Sequence, residues 1–412
     1  MIRKQAPASF ADKLMSHLTL PELSANIIGA VITLALAVFF FIWRLVTLTH
    51  SKLNFQEHQL NATLLRQTPW WKSILQLNGP YYLLMHLSRL IGNNLYLFRM
   101  VSVLIGILSA LAVYWLISQW HGYKIGMMSA AIYITSFGAL AIVRQAGQIS
   151  ASMLITVGLL VAIALIYRWQ NFWSLLLLIL VVDSLLYLPG AIWLVIAALI
   201  LSFGKIRESF SDLSAIEKLA LTLLFLIFLV PIAFRLGYHY SNHQLVYWLG
   251  YALNGKLSAL KSFGLNLVRT PANLFFYSLS LPAALSLGHL PLLPISITIL
   301  SILGFYCYLT RMSNYRWRTI SVLFLIGWLS VGLGVLSVYV LLPLCALAAG
   351  TGLAFMLKEW YTVFPKNPIA RYLGVALMVL IIAFTCFFSA RSYFVAWAND
   401  PATTSNYSYQ LN

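Results

Sequence analysis

Nine carboxylates occur in 412 residues, and of these only Glu57 falls in a long aromatic-rich loop, N-F-Q-E-H-Q-L-N-A-T-L-L-R-Q-T-P-W-W-K-S-I-L-Q-L-N-G-P-Y-Y, directly after the first apolar run. A carboxylate beside a membrane surface can take a proton from a hydroxyl. Lys52, Arg66, Lys72, Arg89 and Arg99 cluster around it in sequence, as suits a phosphate-bearing partner. Glu57 also has a structural reading. Asn54 and Glu57 have the spacing of a helix start, with Asn capping the first turn and Glu reaching back to the Asn N–H. On the sequence alone both readings stand.

Asp183 is the second acid to weigh, because an ionised Asp at mid-bilayer costs about 2.5–3.5 kcal/mol and is therefore usually paired or functional. It shortly precedes Leu188-Pro189-Gly190, an expected outer turn, so a hydrogen-bonded structural Asp, a groove-lining Asp and an Asp at a helix end are all open. If it is structural, Asp183→Asn should impair assembly more than specific activity. Farther on, Arg235, Lys256, Lys261 and Arg269 stand among Tyr238, Tyr240, Tyr247, Trp248 and Tyr251. Such residues stack a sugar and clamp a phosphate, or form an interfacial belt with snorkelling cations; Lys256 and Arg269 are the expected ligand contacts. His239 and His243 stand four apart without an acid, the three cysteines fall in apolar runs, and no glycine-rich phosphate loop occurs. Disulfides, a metal centre and nucleotide chemistry therefore have no support, and nucleic acid is not an expected partner. A single outer acid is a thin metal site, so no cofactor is expected and a divalent metal should be dispensable.

The elements that must position these residues are membrane helices. Hydrophobic residues make up 61% of the chain, charged residues 8%, and the mean hydropathy is +0.87, whereas soluble domains carry roughly 25% charged residues. Apolar runs of about 17–25 residues predict an all-α, polytopic helical membrane protein. The expected spans are 26–48, 97–119, 124–143, 149–168, 172–188, 190–204, 219–235, 292–310, 319–335, 337–357 and 372–390, about eleven crossings. The first run has no small-residue cleavage pattern after it and reads as a retained helix. Short connections rich in Lys and Arg place the segment 1–25 in the cytoplasm. The membrane domain then covers 26–390, with outer loops at 49–96 and 236–291, and a short tail, 391–412, lies outside. The net charge of +17 divides into 14 cations and six acids on the inner side against 12 cations and three acids on the outer, leaving about +9 outside. That excess suits an anionic membrane lipid or a phosphate-linked substrate. Within the first loop, amphipathic interfacial helices are expected from Asn54 onward and again after Asn78-Gly79-Pro80, from Tyr81 to Gly92.

The first helix, the acidic residue at a helix start, N-G-P-Y-Y-L-L-M-H-L-S-R-L-I-G and L-F-R-M-V-S-V-L-I-G-I-L-S-A-L-A-V-Y-W-L together resemble the GT-C membrane glycosyltransferases, closest to the aminoarabinose-transferase and protein-mannosyltransferase branch in bacteria. The resemblance covers roughly residues 26–200. It implies transfer of a sugar from a polyprenyl-phosphate carrier to a lipid, glycan or protein acceptor at the outer membrane face of the cell envelope. By the same resemblance Glu57, helped by His58, serves the acceptor's proton, while Arg66, Lys72, Tyr81, Tyr82, Arg144, Asp183, Lys256 and Arg269 meet the lipid phosphate or the sugar. A glycosyl phosphate already has a good leaving group, so one base and several cations suffice. The second carboxylate of the hydrolases is not needed.

Two departures bear on activity. The branch usually has Asp-Glu in its first loop where this chain has Gln56-Glu57, and an amide cannot be the base. A Pro-Asp pair that often follows the third-span Arg is replaced by Gln148-Ile149-Ser150. Either Glu57 takes the role or the protein is a degenerate member that binds lipid without turnover. The rival from another class is a transporter or flippase of a lipid-linked glycan, disfavoured by the lack of matched halves and by spans poor in charge apart from Asp183.

Overall fold

The structure, a computed structural model, describes residues 22–49, 51–66, 78–238, 249, 257–279, 281–334 and 336–411. The chain runs α1 (Glu22–Ile42), β1 (Leu53–Asn54), α2 (Phe55–Arg66), α3 (Gly79–Ile91), α4 (Leu95–His121), α5 (Tyr123–Thr135), α6 (Phe137–Val143), α7 (Gln148–Trp169), α8 (Phe172–Leu186), α9 (Ile192–Ser211), α10 (Ala215–Tyr238), α11 (Leu257–Pro271), α12 (Ile295–Thr310), α13 (Tyr315–Gly332), α14 (Leu342–Val363), α15 (Pro368–Arg391), α16 (Pro401–Asn406) and β2 (Tyr407–Tyr409).

A helix stands at each of the eleven expected spans, so the all-α membrane architecture holds. Among the described residues, five segments are long and apolar enough to cross a bilayer: Ser24–Thr49, Leu95–His121, Gln148–Trp169, Val338–Val363 and Pro368–Asn399. A sixth arises if α5 and α6, bent by 63°, count as one span. The apolar helices α8 and α12 have 15 and 16 residues, short of the roughly 20 that a bilayer core requires. Large apolar side chains on α15, such as Leu380, Phe384 and Phe387, are about two-thirds exposed, as expected of a lipid-facing surface.

Small residues set the closest helix crossings. A Cβ on Gly304 of α12 or Gly352 of α14 would run into the backbone of the opposing helix, at the Ala348 and Leu300 carbonyls respectively. Glycine at both positions lets the two backbones meet without side chains between them. Ser129 of α5 donates to the Ala346 carbonyl of α14 at 2.8 Å, which fixes a third helix on the same buried face. Helix ends are set by local caps: Asn94 accepts from the Leu97 N–H at 2.8 Å to start α4, and Asn171 and Ser174 form a reciprocal capping box at α8.

At one end of the bundle the connections close into a lid. β1 pairs antiparallel with β2, so residues 407–409 lie against Leu53 and Asn54. The tail, 391–412, folds back through a π-helical turn at Ser392–Ala396 and buries Tyr393, Trp397 and Tyr407.

Candidate functional site

The lid is built around Glu57. Asn54 ends β1 and caps α2, accepting the Glu57 N–H at 2.8 Å, while the Asn54 N–H donates to Glu57 Oε2 at 3.2 Å. The cap expected from the spacing is therefore present. The carboxylate has further partners, however. Arg99, about one turn into α4, donates from Nε to Oε1 and from Nη2 to Oε2, both at 2.8 Å, and the Ala146 N–H donates to Oε1 at 2.9 Å. Both side chains are fully buried. Arg99 spends its remaining N–H groups on Thr49 Oγ1 at 2.7 Å and the carbonyls of Leu45 and Lys52 at 3.2 and 2.9 Å. One ion pair thus ties the α1 exit, β1, α2, α4 and the α6–α7 turn together.

Arg144 closes the next layer, at the end of α6. Its Nη1 donates to the Phe40, Phe41 and Trp43 carbonyls at 2.8, 3.4 and 2.7 Å, the carbonyls that a helix C-terminus leaves open. Its guanidinium carbon lies 4.8 Å from the Phe394 ring centre and 5.5 Å from that of Tyr393. Nε and Nη2 are buried without a hydrogen-bond partner among the described residues. Beside it, Gln145 accepts from Asn54 Nδ2 at 2.8 Å and donates to the Ala284 carbonyl at 2.7 Å.

Tyr81 joins the same network from α3. Its hydroxyl lies 3.0 Å from Ser102 Oγ, which also accepts from Ser150 Oγ at 3.1 Å and the Gly147 N–H at 3.3 Å. Burial holds the Tyr81 phenol well above its ordinary range, against the lowering effect of Ser102. Asn78 takes the left-handed conformation at the start of α3, φ 63°, and its N–H bonds the Tyr187 carbonyl at 2.9 Å. Tyr82 is half-buried with its ring edge-on to Tyr81. His58 stacks on Tyr409 at 4.4 Å, and its Nδ1 is buried without a hydrogen-bond partner among the described residues.

The structure thus brings together Glu57, Arg144 and Tyr81, with His58 and Tyr82 at the rim. Arg269 is half-buried in the last turn of α11 and shares no hydrogen bond with this network among the described residues. Asp183 is buried in α8 and neither carboxylate oxygen has a hydrogen-bond partner among those residues, which differs from a hydrogen-bonded structural Asp. Lys72, Lys256, His239 and His243 lie outside the described residues, as does the side chain of Arg66. Among the described residues no cluster of three metal-ligating side chains occurs. Sequence reasoning missed Arg99 as the partner of Glu57, and also Tyr393, Trp397 and Tyr407. The alternating Y-S-Y at 407–409 is the only local sign of a strand in the tail.

No protein-family model and no curated protein matches the chain. Solved structures do. The apo oligosaccharyltransferase of Archaeoglobus fulgidus superposes with a TM-score of 0.54 at 12% identity, covering 94% of this chain and 56% of that one. The chain has the GT-C fold. The A. fulgidus oligosaccharyltransferase AglB, in complex with an inhibitory peptide and a dolichol-phosphate, matches with a TM-score of 0.52 at 12% identity over 98% of this chain and 57% of that one. The chain spans a little over half the length of these neighbours.

An apolar groove lies one aromatic layer from Arg144. A cavity of about 360 Å³ runs between α15 and the segment 287–296, walled by Leu290, Ile295, Phe384 and Phe388. Phe137 lines it and packs edge-on against Tyr393 at 5.8 Å, and Tyr393 is the ring beside Arg144. A hydrocarbon chain fits such a groove. A cation one aromatic layer away suits the charged head of the same molecule.

Proposed function

We propose that this protein is a membrane glycosyltransferase that moves a sugar from a polyprenyl-phosphate donor to a lipid, glycan or protein acceptor. The observation that carries the reading is the apolar groove set one aromatic layer from Arg144 within a fold shared with an oligosaccharyltransferase whose structure is in complex with a dolichol-phosphate. In this reading the groove holds the isoprenoid chain. Arg144 would turn Nε and Nη2, which have no hydrogen-bond partner among the described residues, toward the carrier phosphate, so that charge developing on the leaving phosphate is neutralised. In this reading the same end faces the extracytoplasmic side, which the Lys- and Arg-rich connections at the other end support. Tyr82 at the rim and Tyr81 buried behind it serve the site from the side of the first outer loop, with Lys256 and Arg269 assigned to the second.

Glu57 is the group on which turnover rests. Its oxygens accept four N–H groups in the state described, so taking the acceptor's proton requires the Arg99 pair to open, with His58 as the adjacent relay. The same geometry supports a second reading, a lipid-binding protein without turnover, in which Glu57 only holds the lid. Native mass spectrometry of the gently purified protein separates them. Sugar-loaded polyprenyl phosphate enriched on Glu57→Gln relative to wild type supports the transferase. Equal loading of both forms supports the binding protein, and no lipid on either removes both.

A further inference from the structure

A second amphiphilic cavity lies at the opposite end of the bundle. α4 carries Arg99 near its start and His121 at its end, and 22 residues of helix put them about 33 Å apart. There a cavity of about 660 Å³ opens between the α4–α5 turn, the last turns of α14 and the flank of α15. His121, Lys124 and Lys358 form its polar side, and Met128, Leu357 and Val375 its apolar side.

Its charge has one sign. Among the described residues no carboxylate lines it, whereas Lys124 and Lys358 line it and are exposed. Arg371 adds a third cation, its guanidinium 4.9 Å from the ring centre of Tyr361, which also lines the cavity. His121 is stacked on Trp317 and its Nε2 has no hydrogen-bond partner among the described residues. The turn that carries Lys358 is fastened, because Trp360 Nε1 donates to the Ala370 carbonyl at 2.8 Å across the α14–α15 connection. The α4–α5 turn is open, since a Cβ on Gly122, φ 88°, would meet nothing within 4 Å.

We propose that this cavity binds the headgroup of an anionic phospholipid, with Lys124 and Lys358 on its phosphate and the Met128–Val375 side against the upper part of an acyl chain. The helices that frame the cavity, α4, α14 and α15, are three of the bilayer-length spans, and the cavity sits at their ends, the depth of lipid headgroups. A basic pocket between spanning helices is a form that phospholipid headgroup sites take. A free phosphate would use only the polar half. A zwitterionic headgroup would bring its own cation against two lysines. The site is separate from the transfer reading and does not depend on it.

The test is native mass spectrometry of the delipidated protein with added phosphatidylglycerol, phosphatidylcholine or inorganic phosphate. Wild type should retain phosphatidylglycerol over phosphatidylcholine. The Lys124→Ala/Lys358→Ala variant should bind it more weakly by about fivefold for each lysine removed, about 25-fold for both. Arg207→Ala, an exposed residue of α9 away from the cavity, should match wild type. Raising the ionic strength should release phosphatidylglycerol from wild type, an outcome that needs no variant. Equal retention of the two lipids, undiminished binding by the double variant, or displacement of the lipid by inorganic phosphate overturns the proposal.

Discussion

Removing one member of the Glu57–Arg99 pair should be the most damaging single change in the lid. Both groups are fully buried and share two charge-assisted hydrogen bonds of 2.8 Å. Glu57→Ala strands the Arg99 charge and the Ala146 N–H, and Arg99→Met strands the Glu57 carboxylate. Loss of one partner of such a pair costs about 3–5 kcal/mol, because the other charge stays buried. Glu57→Gln keeps the shape but offers one acceptor oxygen to four donors, so it should fall between wild type and Glu57→Ala. The double variant Glu57→Leu/Arg99→Met removes both charges together and should cost clearly less than the two single variants summed. Unfolding by sodium dodecyl sulfate in mixed micelles, followed through tryptophan fluorescence, gives the four corners of the cycle. Additive losses in the double variant, or single variants as stable as wild type, would refute the argument that the two residues act as one buried unit.

Three other outcomes are expected. Gly352→Val should push α12 from α14 and destabilise the bundle by at least about 1–3 kcal/mol, as overpacking does, measured in the same micelles. Asp183→Asn should leave stability unchanged or raise it, since an unpartnered buried carboxylate carries a desolvation cost that the amide reduces; a large loss would mean a partner beyond the described residues. His86 in α3 is held below its ordinary value of 6.5, by burial first and then by Arg89. The unfolded state therefore binds the proton first, so this contribution to stability is complete above about pH 6.5 and is lost as pH falls through the folded value. A flatter pH–stability profile for His86→Gln over that interval is the check.

Much of the fold was legible because hydropathy alone marks a membrane helix. Each apolar run from 26–48 to 372–390 became helix, and the Asn54–Glu57 cap was readable from a spacing of three residues. What was not legible depends on contacts remote in sequence. Span 124–143 breaks at Ser136, whose side chain caps the second half, and no proline announces the bend. Arg99 reaches Glu57 over 42 positions, a distance at which spacing carries no signal. For Asp183 a structural, a groove-lining and a helix-end role stayed open, because no local pattern reveals whether a partner faces it. The tail, 391–412, reads only as too short for a separate domain, and it is the docking of its aromatic residues against Ala283 and β1 that makes them core.

The pairing of β1 with β2 also has a consequence for assembly in the cell. The strand that covers Asn54 is made about 350 residues after it, so during synthesis Glu57 and Arg99 wait beneath an incomplete roof while most of the bundle inserts. The chain closes like a purse whose drawstring is threaded last. A pull on residues 407–409 would load that drawstring.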